Sequence, residues 1–220
     1  MAATTERPAL LADAAIGLIA GNGLRALTHR AVDAAAGVPA GTTSNHYRTR
    51  RELLRGVLAR IAAINQDRLS RLSVPPTDAA GASADRRWRL VEAATLAERI
   101  AVFVDGQLAA HRPSTLARMA CEIEVASDPE LREILHTGDD FRRLAIAAVS
   151  RLGAVDPLRQ TAGVIALLDG LQYDRLVGIG SRTAAPAGTA ESRAEIAAVV
   201  QTYLVGLVPG GAIRPAGGSG

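Results

Sequence analysis

Lysine is absent from this 220-residue chain: all 25 basic residues are arginine, against a background rich in alanine and glycine. Part of that bias is compositional, so the charges inform through their location rather than their number. Cysteine occurs once, as Cys121, which excludes an intramolecular disulfide framework and a multi-cysteine zinc site and fits a reducing cytoplasm. A small buried helical thiol is expected there rather than a redox sensor. No apolar run approaches the roughly 18 residues of a membrane span, and the nearest, "TAGVIALLDGLQY", is broken by Asp169. The start, "MAATTERPALL", carries an acid and no long apolar stretch, unlike a secretion signal. A cytoplasmic protein without membrane partners is expected. Period-two alternation is almost missing, so no sheet is expected, and no internal repeat is found.

Chemistry is equally sparse. His111, Cys121, Glu122 and Glu124 lack a recurrent ligand spacing, so no metal and no cofactor is expected. The acids of "HTGDD", 136–140, read as solvated rather than as an acid/base pair. "GIGS", 178–181, is too short to argue phosphate binding, and no nucleophile elbow is found. No catalytic residue is assigned and no enzyme is expected.

What is present is an apolar content of 48%, enough for a substantial core in one large domain or two smaller ones. Residues 1–60 hold eight arginines against four acids, whereas the remaining 160 hold 17 against 18. A basic first quarter on a near-neutral body points to a polyanion partner for that quarter. Leu11, Ala14, Ala15, Leu18 and Ile19 recur at helical spacing before the stop "GNG", predicting a helix over 8–20. Thr28 reads as the N-cap of a second helix, 28–36, closed by Gly37. Pro39, suited to a helix start, opens a third over 39–47, with Thr43 and Tyr47 one turn apart and facing inward. Arg50 to Ser70 forms a longer amphipathic helix with Leu54, Val57, Leu58 and Ile61 inside. "SVPPTDAAGASADRR", 73–87, reads as a loop, and helices are expected over 86–111, 113–126, 129–152, 157–179 and 190–208. The first six residues and the tail 209–220 are expected to be disordered. The fold class is therefore all-α.

Three short helices with glycine-containing turns have the proportions of a helix-turn-helix, whose recognition helix enters the DNA major groove. Such a helix must pack one side on its domain and bring the other close to base edges, which favours small and hydrogen-bonding residues. Asn45 can pair bidentately with an adenine edge; Thr42, Ser44 and His46 offer donors; Arg48, Arg50 and Arg51 can meet phosphates.

These residues resemble the N-terminal DNA-binding domain of the TetR family of bacterial transcriptional regulators. Ala14–Ala15, Gly23, Thr28, Arg30, "AGV" at 36–38, Gly41, Thr42, Tyr47 and Leu53–Leu54 match its pattern in order and spacing, over about residues 8–60. The resemblance implies a helix-turn-helix domain over 1–50 and a helical effector-binding and dimerisation domain over 51–208. It implies DNA contacts from Thr28, Ala40, Gly41, Thr42, Ser44, Asn45, His46, Tyr47 and Arg50. Among these, Thr28 and Thr42 would hold phosphates, Ala40, Gly41, Ser44 and Asn45 would face bases, and His46 and Arg50 would face the backbone. The chain departs from the pattern at Thr43, where a large aliphatic residue is usual, at Ser44, where an aromatic is common, at Arg50, a lysine-like position, and at Asp33, where a small residue is usual.

The resemblance further implies a homodimer on a palindromic double-stranded operator, most often as a repressor, released by a small-molecule effector. Trp88, Phe103, Phe141 and Tyr173 are candidates for an apolar effector pocket, with His111, Met119, Glu122 and Gln172 as polar or adaptable handles. Leu168 and Leu171 in the penultimate long helix, with the stripe Ile196, Val200, Tyr203 and Leu207 in the last, are candidates for dimerisation, although such a stripe could equally be intramolecular core. Two rival readings remain: a helical small-molecule-binding protein or enzyme with a vestigial motif, and a constitutive architectural DNA binder without a ligand.

Overall fold

The computed structural model describes residues 3–70, 85–136 and 140–210. Most of the expected loop at 73–87, most of the expected disordered tail at 209–220 and the centre of "HTGDD" lie outside that set. Among the described residues there are eleven α-helices, a single 3-10 turn at Leu24–Ala26, and no strand. The helices are α1 (Ala3–Asn22), α2 (His29–Ala35), α3 (Thr42–His46), α4 (Arg50–Ser70), α5 (Arg86–Leu108), α6 (Arg112–Glu124), α7 (Pro129–His136), α8 (Asp140–Arg151), α9 (Pro157–Leu176), α10 (Gly180–Thr183) and α11 (Ala190–Leu207). α1 starts within the six residues expected to be disordered, since "ATTE" contains no glycine or proline to stop a helix. The single helix expected over 129–152 is described as α7 and α8, with 137–139 outside the described residues.

The helices form two compact units, one from residues 1–72 and 111–139, the other from 73–110 and 140–220. In the first, Leu11, Ala15 and Ile19 of α1, Val32 of α2, Leu53, Val57, Leu58 and Ile61 of α4, and Ala117 and Cys121 of α6 make one buried core. Each such Leu, Ile or Val contributes roughly 1.5–3 kcal/mol on burial, and that packing holds α2 and α3, which are too short to persist alone. Packing thus joins α4, α6 and α7, expected in the second domain, to the N-terminal helices, because their apolar faces share this core.

In the second unit α5 buries Ala93, Ala97, Ala101, Val104 and Leu108, and α11, which packs on it, buries Ile196, Val200, Leu204 and Leu207. Buried Asp105 of α5 ties down the start of α11, accepting from the Gly188 amide at 2.9 Å, the Ser192 hydroxyl at 2.7 Å and the Arg193 guanidinium at 3.2 Å. α9 packs closely on α11 at Gly163, where a Cβ would run into the Tyr203 hydroxyl.

The stripe read as a dimer face is therefore an intrachain seam. Ile196 and Val200 have no exposed surface, Leu168 and Leu207 are buried, and Tyr203 lies against Gly163. Leu171 is half-buried. Leu168, Ile196, Val200 and Leu207 are covered by their own chain, whereas Leu171 and Tyr203 keep part of their surface.

Candidate nucleic-acid interface

α2 begins where the spacing predicts it. Thr28 has extended backbone (φ −129°, ψ 152°), and its Oγ1 accepts the Ala31 amide at 3.2 Å, which leaves the hydroxyl proton of this exposed residue available to an anion.

α3 starts later than expected, at Thr42 rather than Pro39, and the reason lies on α2. Gly41 precedes it with φ +88°, a left-handed conformation that suits glycine and offers no side chain to cap the helix. The cap comes instead from Asp33, whose Oδ2 accepts the Gly41 amide at 2.8 Å and whose Oδ1 accepts the Thr43 amide at 2.7 Å and the Thr43 hydroxyl at 2.6 Å. The Thr43 hydroxyl foremost holds the Asp33 carboxyl below the ordinary carboxylate range; the two amides and the charge of His29 act the same way, against the upward push of burial. At the other end of α3, His29 Nε2 donates to the Tyr47 carbonyl at 2.6 Å. Sequence reasoning marked Asp33 only as a departure and missed His29; their spacing of four, one turn on the same helix, is the signal that could have linked them.

Ala40, Gly41, Ser44, Asn45 and His46 are exposed around α3, while Thr43 is fully buried. Three residues expected at DNA are otherwise engaged. The Tyr47 ring rests on α4 where Gly56 lacks a side chain, a Cβ there falling 2.5 Å from the ring, and its hydroxyl donates to the Pro8 carbonyl at 3.4 Å. Tyr47 is thus a packing residue rather than a DNA contact, because its ring points into the unit. The Thr42 hydroxyl donates to the Pro39 carbonyl at 2.6 Å, so its proton is already placed. Arg50 donates to the Leu24 carbonyl at 3.0 Å and pairs with Glu124 at 3.4 Å. Beside it, Arg51 pairs with Asp128 at 3.0 Å and Glu130 at 2.8 Å, and Arg55 pairs with Glu130. These half-exposed arginines fasten α4 to α6 and α7. Arg25, Arg30 and Arg48 are exposed on the same unit.

The expected effector residues fall in both units. His111, Met119 and Glu122 belong to the first, where Glu122 pairs with Arg118 at 2.6 Å and burial, with nearby Arg68, pushes the His111 pKa down. In the second unit the Phe103 and Phe141 rings stack with centroids 6.5 Å apart, and Trp88 carries the Arg151 guanidinium 5.9 Å from its ring centroid. Gln172 is buried and donates to the Leu168 carbonyl at 3.3 Å, whereas Tyr173 is exposed. Of the aromatic candidates, only Phe103 and Phe141 are brought together. Burial, then Glu122 and Glu124, push the Cys121 thiol up to about 12, so it is inert at neutral pH.

The family model "Tetracyclin repressor-like, C-terminal domain" matches residues 91–206, just over half of the chain. The chain belongs to the TetR family. As a TetR-family protein it is a transcriptional regulator, and solved structures agree with its fold. A transcriptional regulator from Rhodococcus sp. Rha1 superposes with TM-score 0.68 at 20% identity, over 94% of this chain and 99% of the other. A TetR-family member from Streptomyces coelicolor, SCO1917, gives 0.62 at 20% identity over 90% and 98%. The multidrug binding protein EbrR, complexed with imidazole, gives 0.58 at 22% identity over 95% and 98%. At such identities the likeness speaks to the TetR fold alone. No curated protein matches the chain. Among the described residues no helix is long and apolar enough to cross a membrane.

Proposed function

We propose that this TetR-family regulator works as a homodimeric repressor that reads a two-fold operator through α3 of each subunit and leaves it when a small molecule binds the helical body. The observation that carries the reading is the exposed set Ala40, Gly41, Ser44, Asn45 and His46 on a short, lean helix within the basic first quarter. Ala40 and Gly41 let the backbone approach a groove wall, and Asn45 offers the acceptor and donor pair that an adenine edge needs. Ser44 and His46 add donors. The Thr28 hydroxyl and the exposed Arg30 and Arg48 take the phosphates, in place of the engaged Thr42 and Arg50.

A two-fold operator calls for a two-fold protein. The surface supporting one lies on the outer faces of α9 and α11. Ala162, Ala166, Gly170 and Tyr173 are exposed at helical spacing on the former, with exposed Val177 just past its end, and Ala198, Val199, Thr202 and Gly206 on the latter. Small residues let paired helices approach closely, and the same two helices of a second copy complete a four-helix bundle. The last two long helices thus keep the dimer role through residues other than the buried stripe. Release is a population shift: the effector prefers subunit arrangements whose two α3 helices no longer match adjacent major grooves. The stacked Phe103 and Phe141 suit an apolar effector, and the ligands held by EbrR, imidazole and ethidium among them, support a small organic molecule.

Duplexes tiling the gene's own upstream region, titrated with the full chain by fluorescence anisotropy at several salt concentrations, test this. One duplex should bind two subunits, with affinity falling by a log–log slope of about 0.9 per phosphate contacted. Equal binding of every duplex, or none, would sink the proposal.

A further inference from the structure

Two residues of α2 grip both ends of α3. α3 has five residues, and its N-cap, Gly41, makes no side-chain cap bond. Asp33 accepts the Gly41 and Thr43 amides and the Thr43 hydroxyl at 2.6–2.8 Å, and His29, one turn earlier on α2, answers the Tyr47 carbonyl at 2.6 Å. The acid sits at the positive end of the α3 dipole and the basic donor at the negative end. The Asp33–Thr43 pair is sealed, with Asp33 3% and Thr43 0% exposed. Losing Asp33 would strand buried donors with no water to replace it. By contrast, the Arg50–Glu124 pair is half-exposed and can exchange partners with solvent.

We infer that His29 and Asp33 are positioning residues, a two-point clamp fixing the pose of α3, so that base selectivity rather than charge-driven affinity for DNA depends on them. The inference rests on α3 being the reading helix. It also makes one device of two departures from the family pattern: Asp33 replaces a small residue and Thr43 a large aliphatic one, so a polar pair stands where an apolar contact is usual.

The test uses the full chain, the duplex that the wild type enriches from a random pool, and a scrambled duplex of equal length. Asp33→Ala and His29→Leu should each lower the ratio of the two affinities about tenfold, the scale of one polar group left unanswered, Thr43 donors in the first and the Tyr47 carbonyl in the second, while affinity for the scrambled duplex stays unchanged. His29→Gln, which keeps a donor, should retain the ratio, and Asp33→Ala combined with Thr43→Leu should restore most of it. Without DNA, the amides of residues 42–47 should exchange faster in Asp33→Ala than in the wild type. Should Asp33→Ala fail to fold by circular dichroism, Thr43→Val, which removes only the hydroxyl bond, carries the comparison. An unchanged ratio in the folded variants overturns the clamp and leaves the DNA-binding reading standing. A wild type that enriches no duplex overturns the DNA-binding reading, and the clamp's role in selectivity with it.

Discussion

Asn45 is the exposed α3 side chain best suited to bidentate base reading. Asn45→Ala should cost about 1–3 kcal/mol on the preferred duplex and erase discrimination at one base position. Anisotropy on that duplex and its single-base variants checks this, and equal losses across all variants would mean that Asn45 reads no base. Asp33 carries a pH prediction. Its folded carboxyl titrates below the ordinary value of about 3.9, so the ionised form favours the fold. That contribution is complete above the ordinary carboxylate value and disappears as pH falls through the lower folded one. The urea midpoint of the wild type should therefore drop more steeply below about pH 4 than that of Asp33→Asn, and parallel curves would contradict it. At this scale the sequence was partly legible. Thr28 as a cap, Thr43 as an inward residue and the exposure of Asn45 follow from local spacing and are seen. The start of α3 is not legible locally, because Pro39 satisfies a local rule whereas the operative cap sits on another helix, eight and ten residues upstream of the amides it holds.

At the scale of elements, periodicity showed that one face of α11 is apolar but not what covers it. Ile196 and Val200 complete the α5–α11 seam, and Asp105 pins its end. Ile196→Ala should destabilise the fold by about 2–5 kcal/mol, read from chemical denaturation. A cost below about 1 kcal/mol would return the stripe to the surface. Long helices were readable because their caps are local, as with Asp156 accepting the Arg159 amide before α9 and Thr189 accepting the Ser192 amide before α11. The ion pairs of Arg51 and Arg55 to Asp128 and Glu130 were not readable, because they join residues 75 to 79 apart in sequence.

For the whole molecule, burial separates core from candidate interface on the same two helices. Ala166 is exposed on α9, so Ala166→Glu should leave the subunit fold intact by circular dichroism yet give monomers in sedimentation velocity. Unchanged dimers would place the interface elsewhere. Monomers should also bind a single half-site weakly, since two linked recognition helices gain from effective concentration. Family membership, resting on the helical body, and the helix-turn-helix pattern of the first 50 residues both support the proposed regulated DNA binding. The most direct measurement of that claim is selection by the full-length protein from a random duplex pool at physiological salt. Enrichment of a single inverted repeat is expected, its half-site centres about 10 base pairs or a multiple apart, with adenine among the positions that Asn45→Ala relaxes. A pool that stays random, or a protein that binds only in proportion to charge, would contradict it.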